Sequence, residues 1–243
     1  MDIRNKTALI SGSGVRLGRA IAMALAQKGC NLALHYNSSA AQVREVQAAA
    51  RDYGVKAEIF QADLTNEKDI QKLIDEADSR FGFFDILVNN AGVYLKGNGL
   101  DTTSETLQQQ FRLNLFAPIL LTRGFASQLP KEAQGKVINI SDAKVFRHEF
   151  DHFAYRLTKK SINEMTAMFA LELAPRITVN AIAPGIMLPL AGKEQVDLQM
   201  LADKLVPLKK PGNPEMIAQA VLYLLEQDFI TGTVIRLDGG QYL

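Results

Sequence analysis

The amino-acid sequence predicts an α/β fold: one domain built on a doubly wound, seven-stranded parallel sheet flanked by helices. Seven short apolar runs alternate regularly with long amphipathic stretches. The runs are apolar at nearly every position, which is typical of parallel strands covered on both faces. No composition break, repeat or linker divides the 243 residues. We therefore expect residues 1–243 to form a single domain.

The predicted elements follow one another along the chain in strict alternation. The apolar runs predict strands at 7–11, 31–36, 56–61, 85–90, 136–141, 177–183 and 233–239. The amphipathic stretches predict helices near 18–29, 40–53, 67–81, 103–129, 152–174 and 214–227. One segment, 185–212, mixes prolines with a weakly helical piece, and we predict a substrate lid there.

Composition limits the functions that the chain can have. The net charge is +1, so electrostatics does not favour nucleic acid or a membrane surface as a partner. The first apolar run is too short for a signal-peptide core or a membrane span, so we expect a cytoplasmic protein. Cys30 is the only cysteine, which excludes intramolecular disulfides. His35, His148 and His152 are scattered without carboxylates at ligand spacing, so no metal site is predicted.

The loop after the first strand has the features of a phosphate-binding turn. Gly12, Gly14 and Gly18 lie between a strand and a helix. There glycine permits a sharp turn and brings backbone amides and a helix N-terminus against a phosphate. A tight connection without a ligand would use the same glycines, but the position after the first strand favours binding. Arg16 adds a positive charge, which we assign to phosphate contact.

The loop after the second strand distinguishes between the two nicotinamide dinucleotides. A protein that prefers NAD usually has Asp or Glu there to bind the ribose 2′-hydroxyl. This chain has HYNSSAA, with no acid before Glu45. Asn37, Ser38 and Ser39, together with Arg16, can donate hydrogen bonds to a 2′-phosphate. A serine N-cap for the next helix is the simpler explanation of the same residues. We predict NADP(H) as the cofactor.

Residues 140–160 contain the candidates for acid–base chemistry. Tyr155 and Lys159 are four residues apart, on one face of a predicted helix. A free tyrosine has a pKa of about 10. A nearby lysine charge favours the phenolate and is expected to lower that pKa toward useful acid–base strength. Asp142 precedes Tyr155 by thirteen residues.

Taken together, these motifs resemble the short-chain dehydrogenases/reductases over essentially the whole chain. SGSGVRLG (11–18), ADL (62–64), NNAG (89–92), LN (113–114), Tyr155-x-x-x-Lys159, VNAIAPG (179–185) and ITGTVIRLDGG (230–240) occur in that family's order and spacing. The resemblance implies a Rossmann fold and a nicotinamide dinucleotide cofactor. It also implies a homotetramer, since the long apolar helices near 103–129 and 152–174 suit the four-helix interface usual in the family.

The resemblance further implies a role for each matching position. Tyr155 would donate a proton, Lys159 would bind the nicotinamide ribose, and Asn114 would hold a water in a proton relay. The cofactor-binding positions would be Gly12, Ser13, Arg16, Leu17, Gly18, Asn37, Ser38, Ser39, Asp63 and Leu64 (bordering the adenine), Asn90 and Ala91 (lining the dinucleotide), Tyr155, Lys159, Pro184 and Gly185.

Two departures from the usual family pattern carry the specific prediction. Members that reduce carbonyls have a serine where this chain has Asp142. The hydroxyl of that serine donates a hydrogen bond to the carbonyl oxygen of the substrate. In this chain the nearest serine, Ser141, is one residue out of register. A carboxylate accepts hydrogen bonds only and repels a developing alkoxide. It suits an electron-poor nitrogen ring, where it can bind an N–H or help protonate a reduced C=N bond. The second departure is Arg16, where the family commonly has glycine or alanine.

In both departures the chain resembles pteridine reductases and the related bacterial dihydromonapterin reductases. Those enzymes have Asp-Tyr-Lys in place of Ser-Tyr-Lys and an arginine in the glycine-rich loop. Those enzymes also place an aromatic residue after the Asn-Ala motif, and Tyr94 occupies that position here. Its ring would stack the substrate against nicotinamide. The predicted substrate-binding residues are Arg16, Tyr94, Asp142 and Tyr155. The match is partial, because Ser38 replaces an arginine of some members and Gly92 a frequent serine.

Three functional hypotheses follow. The first is an NADPH-dependent reductase acting on a pterin-like C=N bond, whose natural substrate among biopterin, monapterin, folate or another imine is left open. The second is a carbonyl reductase resembling 3-oxoacyl-carrier-protein reductases, with Ser141 recruited by a local shift. The third, a non-catalytic NADP-binding redox sensor, is disfavoured because Asn114, Tyr155 and Lys159 are all present. The charged segment RHEFDH (147–152) is predicted to be solvated.

Overall fold

The computed structural model describes residues 1–189 and 195–243. Within them, one parallel sheet is built from β1 (Thr7–Ile10), β2 (Asn31–Tyr36), β3 (Ala57–Gln61), β4 (Ile86–Asn89), β5 (Gly135–Ile140), β6 (Ile177–Pro184) and β7 (Val234–Leu237). The strand order is β3-β2-β1-β4-β5-β6-β7. The order reverses between β1 and β4, which places a ligand crevice at their carboxyl ends. The predicted fold class is confirmed.

Eight α-helices in the described residues flank the sheet. They are α1 (Arg16–Gln27), α2 (Ala40–Arg51), α3 (Glu67–Phe81), α4 (Ser104–Phe111), α5 (Ala117–Gln128), α6 (Phe153–Leu173), α7 (Leu198–Leu205) and α8 (Pro214–Glu226). None of the helices in this part of the chain is long and apolar enough to cross a membrane.

Two apolar cores lie on the two faces of the sheet. Ala8 and Ile10 of β1 pack with α1, α2 and α8, whereas Leu9 packs with α3 and α5 on the opposite face. Leu32 and Leu34 of β2 join the first core in the same alternation. Successive side chains of a strand point to opposite faces. Because both faces are covered by helices, consecutive positions inside these strands are apolar, Ala8 to Ile10 in β1 and Leu32 to Leu34 in β2.

The predicted helix 103–129 is divided in the structure. A π-helical turn, Arg112–Phe116, joins α4 to α5. Such a turn bulges one residue outward and is common at functional sites. It carries Asn114 toward the carboxyl end of β4. A 3₁₀ turn that was not predicted, Ala143–Phe146, follows β5, and Asp142 caps it by accepting from the Lys144 amide at 2.7 Å.

The segment predicted as a substrate lid, 185–212, contains α7, whose start is capped by Asp197 accepting from the amides of Gln199 and Met200. Leu198, Leu201 and Leu205 of this helix line the central cavity. Residues 190–194 of the predicted lid lie outside the described residues. Lid movement therefore stays a prediction.

Candidate active site

A cavity of about 1280 Å³ lies at the carboxyl ends of the strands. Its lining comes from the loops after β1 to β6, from α7 and from the last residues of the chain. This is where doubly wound sheets bind ligands, and the volume is ample for a dinucleotide together with a small substrate. The cavity extends from the glycine-rich loop to Asp142 and Tyr155.

Two glycines of the glycine-rich loop could not carry a side chain without strain or collision. Gly12 has φ +66°, and a Cβ on Gly18 would collide with the Gly12 carbonyl oxygen. Helix α1 begins at Arg16 without a side-chain cap and without an acid in its first turn. Its uncapped, positive end is therefore suited to an anion. These features fit the phosphates of a dinucleotide.

A buried histidine supports this loop. The Gly12 amide donates to Nδ1 of His35 at 3.1 Å, and Nε2 of His35 lies 3.1 Å from the Ala62 carbonyl oxygen. Nε2 therefore carries the hydrogen of a neutral ring. Burial lowers the pKa of His35 to about 4. Sequence reasoning missed this role, although a histidine inside the apolar run NLALHY was the available signal.

Ser13 has a different role from the one predicted. Its amide and hydroxyl both donate to the His35 carbonyl oxygen, at 2.9 and 3.1 Å. The side chain is fully buried and does not line the cavity. The hydroxyl of Ser13 therefore holds the loop to β2, and its side chain is not brought to the cavity.

Acid is expected to destabilise the protein through His35. The unfolded histidine has a pKa of about 6.5 and binds a proton before the folded one, whose pKa is about 4. The contribution of His35 is therefore complete above pH 6.5 and is lost as the pH falls toward 4. It amounts to about 3 kcal/mol in the free energy of unfolding.

Urea unfolding across this pH range measures the effect. His35→Gln, whose amide can make both hydrogen bonds, should remove this part of the slope. His148→Gln, at an exposed position, is the matched control and should keep it. An unchanged slope in His35→Gln would show that another group causes the acid sensitivity.

The loop after β2 places its polar side chains at the cavity. Asn37, Ser38 and Ser39 all line it. The next acid, Glu45, lies on α2 with a carboxylate oxygen 3.7 Å from the guanidinium of Arg19. No carboxylate of this loop therefore opposes a 2′-phosphate, as the sequence HYNSSAA predicts.

Arg16 bridges the glycine-rich loop and the lid segment. Its guanidinium donates to the Pro189 carbonyl oxygen at 2.7 Å. Its backbone has φ +53°, a conformation that favours glycine. The positive φ at this position accounts for the glycine that is common there in the family that the sequence resembles. The assignment of Arg16 to phosphate contact stays a prediction.

The middle of the cavity is formed by the ends of β3, β4 and β6. Asp63, Leu64, Asn90, Ala91, Pro184 and Gly185 all line it, as do Leu17 and Gly18 of α1. The Asn90 side chain donates to the carbonyl oxygens of Ser11 and Gly12, at 2.9 and 3.0 Å. The Ser11 hydroxyl in turn accepts from the amides of Asn90 and Ala91. These bonds fix the end of β4 against the glycine-rich loop.

Tyr155, Asp142 and Lys159, the residues predicted to form the acid–base group, lie together in the structure. The Tyr155 hydroxyl donates to a carboxylate oxygen of Asp142 at 2.7 Å. The other oxygen of Asp142 accepts from the Lys144 amide. The Lys159 ammonium donates to the Ile140 carbonyl oxygen at 2.7 Å. Helix α6 thus brings two of the groups to the end of β5, where the third lies.

The pKa of Tyr155 shifts in the direction opposite to the predicted one. Burial, and then the negative charge of Asp142, raise the pKa of Tyr155 well above 10. Burial lowers the pKa of Lys159 to about 8, while Asp142 opposes that change. Among the protein's own groups, burial and the bonded Asp142 carboxylate outweigh any effect of Lys159 on the pKa of Tyr155. Tyr155 therefore holds its proton and points it at Asp142. A lower pKa with oxidised nicotinamide bound stays a prediction.

Asn114 lies buried behind these groups. Its side chain exchanges two hydrogen bonds with the Val93 backbone, at 2.8 and 2.9 Å. A side chain on Gly92 would come within 3.2 Å of the Asn114 oxygen and 3.7 Å of the Lys159 nitrogen. The absence of a side chain there leaves space between Asn114 and Lys159. Its role in a water relay stays a prediction.

Ser141 is turned away from the reacting position. Its hydroxyl donates to the Asn163 side-chain oxygen at 2.6 Å and lies 3.3 Å from the Lys159 carbonyl oxygen. The side chain is buried against α6. The local shift that a Ser141-based carbonyl reductase requires would break these contacts.

Tyr94 lies next to Tyr155, but one of its faces is covered. The two rings meet edge to face, with centroids 4.6 Å apart. The His152 ring stacks on Tyr94 at 4.2 Å and 23°. A substrate that stacks on Tyr94 must therefore use the opposite face or displace His152. Stacking of the substrate stays a prediction.

In the segment RHEFDH, residues 147–150 are exposed, as predicted, whereas Asp151 and His152 are half-buried. Arg156 is 8% exposed and donates to the carboxylates of Glu149 and Asp151. It also donates to the carbonyl oxygens of Lys144 and Arg147, at 2.6 and 3.2 Å. This segment therefore folds around a buried cation that is adjacent in sequence to Tyr155. No spacing rule points to an arginine at that place.

The strand order, the glycine-rich loop and the acid–base group on α6 are those of a nicotinamide-dependent oxidoreductase, and the chain belongs to the short-chain dehydrogenase/reductase family. A family model described as Enoyl-(Acyl carrier protein) reductase matches residues 14–241. The family uses NAD(P) as its cofactor.

Similar proteins differ in their named activities. The chain is 31% identical to a 3-oxoacyl-[acyl-carrier-protein] reductase of Aquifex aeolicus, covering 100% of this chain and 99% of that one. It is 32% identical to the FolM alternative dihydrofolate reductase 1 of Brucella canis, crystallised with NADP, with a TM-score of 0.92 and coverage of 100% and 96%. A short-chain dehydrogenase/reductase from Serratia marcescens gives a TM-score of 0.93 at 28% identity, with full coverage of both chains. Because the first two identities are nearly equal, sequence identity alone does not decide between the two named activities.

Proposed function

We propose that this protein is an NADPH-dependent reductase that transfers hydride to a C=N bond of a pterin-like substrate, converting a dihydropterin to a tetrahydropterin. The observation that carries the proposal is the 2.7 Å hydrogen bond from Tyr155 to Asp142. A carbonyl reductase needs a neutral donor at this point, and the hydroxyl of Ser141 is bonded elsewhere. The similarity to the NADP-bound FolM protein supports the same class of substrate and cofactor.

The cofactor would lie along the length of the cavity. The glycine-rich loop and the start of α1 would hold its diphosphate. Asn37, Ser38, Ser39 and Arg16 would hold the 2′-phosphate, and Asp63 and Leu64 the adenine. Asn90, Ala91, Pro184, Gly185 and Lys159 would hold the nicotinamide end. When bound, the dinucleotide supplies the hydride.

The chain's own residues supply and orient the proton. Reduction of a C=N bond adds hydride to carbon and a proton to nitrogen. Tyr155 holds a proton at neutral pH. In this proposal its hydroxyl gives that proton to the nitrogen instead of to Asp142. Asp142 aligns that hydroxyl and, as an acceptor, can also bind a ring N–H of the substrate. Lys159 remains a buried cation beside Tyr155, and its charge offsets the negative charge left on the phenol oxygen.

Product analysis tests this proposal. NADPH deuterated on the transferred position of C4 is mixed with a dihydropterin, and the products are followed by absorbance and mass spectrometry. We expect one tetrahydropterin for each NADPH consumed, with deuterium on the ring carbon. NADPH consumption without tetrahydropterin, or no consumption, would contradict the proposal.

A 3-oxoacyl thioester reductase is the second candidate. The Aquifex aeolicus relative favours it, at 31% identity over the full chain. Such an enzyme would have to release Ser141 from Asn163 and neutralise or move Asp142. The non-catalytic redox sensor is disfavoured, because the complete group of Tyr155, Lys159 and Asn114 has no use there.

NADPH is expected to be preferred over NADH by at least about tenfold in kcat/KM, or about 1.4 kcal/mol. The reason is the loop of Asn37, Ser38 and Ser39, which has donors and no carboxylate. Arg16→Ala should reduce the preference, whereas Arg80→Ala, an exposed arginine at the end of α3, should not. Initial rates with both cofactors measure it. Equal use of the two by the unmutated protein would contradict the assignment.

We further propose a cytoplasmic homotetramer. Helix α6 leaves apolar side chains at its surface, with Met168 70% and Leu171 84% exposed. Phe116, next to α5, is 49% exposed. Packing against other copies would bury these side chains, as expected for symmetric assembly through helices.

A further inference from the structure

We infer that Tyr242, the penultimate residue, is a substrate-binding residue that donates a hydrogen bond to the substrate beside Asp142. The inference rests on the proposed function for the class of substrate. Tyr242 lines the same cavity as Asp142, Tyr94 and Tyr155. It follows β7 by five residues and lies outside every sequence motif used above.

The segment after β7 is folded back onto the site by specific contacts. Gly239 and Gly240 have φ +60° and +84°. Asp238 accepts from the amides of Gly240 and Gln241, both at 3.0 Å. A side chain on Gly185 would lie 2.7 Å from the Asp238 Cα. The tail therefore packs directly on the loop after β6, at the predicted nicotinamide end of the cavity.

Arg236 holds Tyr242 against the loop that carries Asp142. Its guanidinium donates to the Tyr242 carbonyl oxygen at 3.1 Å. The same group lies 5.0 Å from the centre of the Phe146 ring, in the 3₁₀ turn that Asp142 caps. Tyr242 is thus fixed before a substrate arrives, which lowers the entropic cost of using it in binding.

The hydroxyl of Tyr242 has a hydrogen to donate. It accepts from the Gln241 side chain at 3.2 Å. Within residues 1–189 and 195–243 it donates to no oxygen or nitrogen atom of the protein. Burial, followed by the charges of Asp142 and Glu149, raises the pKa of Tyr242 above its ordinary value. The phenol therefore stays protonated at neutral pH.

A donor at Tyr242 and an acceptor at Asp142 select the chemistry of the substrate. A ring edge that presents both an N–H and a carbonyl oxygen or imino nitrogen satisfies both groups at once. A 3-oxoacyl chain presents only oxygen acceptors, so it offers no hydrogen to the Asp142 carboxylate and would bring an electron-rich oxygen beside a negative charge. A ring N–H adds a hydrogen bond to this carboxylate, so the pair favours a nitrogen heterocycle.

Tyr242→Phe tests the inference, since it removes only the hydroxyl. We expect the dissociation constant of a dihydropterin from the NADP⁺-loaded protein, measured by calorimetry, to rise about five- to tenfold, as for loss of one hydrogen bond. KM should rise in parallel, with a smaller change in kcat. NADPH affinity and Tm should stay unchanged. Tyr223→Phe, at a half-exposed position on α8, is the matched control.

The outcomes separate this inference from the proposed function. If the unmutated protein binds the dihydropterin without reducing it, the proposed reaction fails and the dissociation constants still decide the role of Tyr242. Equal constants for the unmutated protein and Tyr242→Phe would overturn the inference. An equal loss of NADPH affinity would also overturn it, because Tyr242 would then act on the cofactor. Absence of any dihydropterin binding would overturn both proposals.

Discussion

Replacing Asp142 with serine is expected to lower kcat for a dihydropterin about a hundredfold or more, the usual range for removing a general acid–base group. The substitution breaks the 2.7 Å bond from Tyr155 and removes the acceptor for a ring N–H. Serine can still cap the 3₁₀ turn at Lys144. Folding and NADPH affinity should therefore stay near those of the unmutated protein.

Steady-state kinetics on a dihydropterin and on an acetoacetyl thioester measure the effect of Asp142→Ser. Ser141→Ala is the informative companion, since it removes the hydroxyl on which the carbonyl-reductase hypothesis depends. We expect Ser141→Ala to leave dihydropterin reduction largely intact and Asp142→Ser to abolish most of it. The opposite pattern would assign the reaction to Ser141. A serine variant at 142 that is as fast as the parent would show that Asp142 is incidental.

Tyr155→Phe is expected to lower kcat by about a thousandfold, within the range for loss of a positioned proton donor. Phenylalanine keeps the ring and its edge-to-face contact with Tyr94, at 4.6 Å between centroids. The loss is therefore one of proton supply rather than packing. Single-turnover rates at several pH values measure it, because they separate chemistry from product release.

The control for Tyr155→Phe is again Tyr223→Phe, which removes a hydroxyl far from the cavity. NADPH affinity measured directly shows whether the cofactor still binds. If Tyr155→Phe keeps more than about a tenth of kcat, the proton comes from another group, and Asp142 would be the first to test.

The fold could be predicted because its strands are covered on both faces. Leu9 packs on one side of β1 while Ala8 and Ile10 pack on the other, so three consecutive positions are apolar. The break in the helix 103–129 could not be predicted. The residues RLNLF have the same apolar spacing in an α-helical or a π-helical turn, and the bonds of Asn114 to Val93, a residue distant in sequence, leave no trace in that spacing.

Much of the candidate site could also be predicted, because the carboxyl ends of parallel strands meet at one edge of the sheet. That rule brings Asn37, Asp63, Asn90 and Asp142 to one cavity. It does not say which way a side chain turns, and Ser13 turns to His35.

Other features of the site depend on contacts between distant segments, which no local pattern records. His152 reaches Tyr94, Arg156 binds the loop before it, and Tyr242 returns from the end of the chain. The raised pKa of Tyr155 follows first from its burial and then from its bond to Asp142, and neither can be read from the spacing of Tyr155 and Lys159.

The most direct test of the proposed function is the ratio of kcat/KM for a dihydropterin to that for an acetoacetyl thioester, measured with NADPH and the unmutated protein. We predict a ratio of at least about a hundred, or about 2.7 kcal/mol of transition-state preference for the nitrogen heterocycle. A ratio at or below one would contradict the account. It would assign the protein to carbonyl reduction in spite of the carboxylate beside Tyr155.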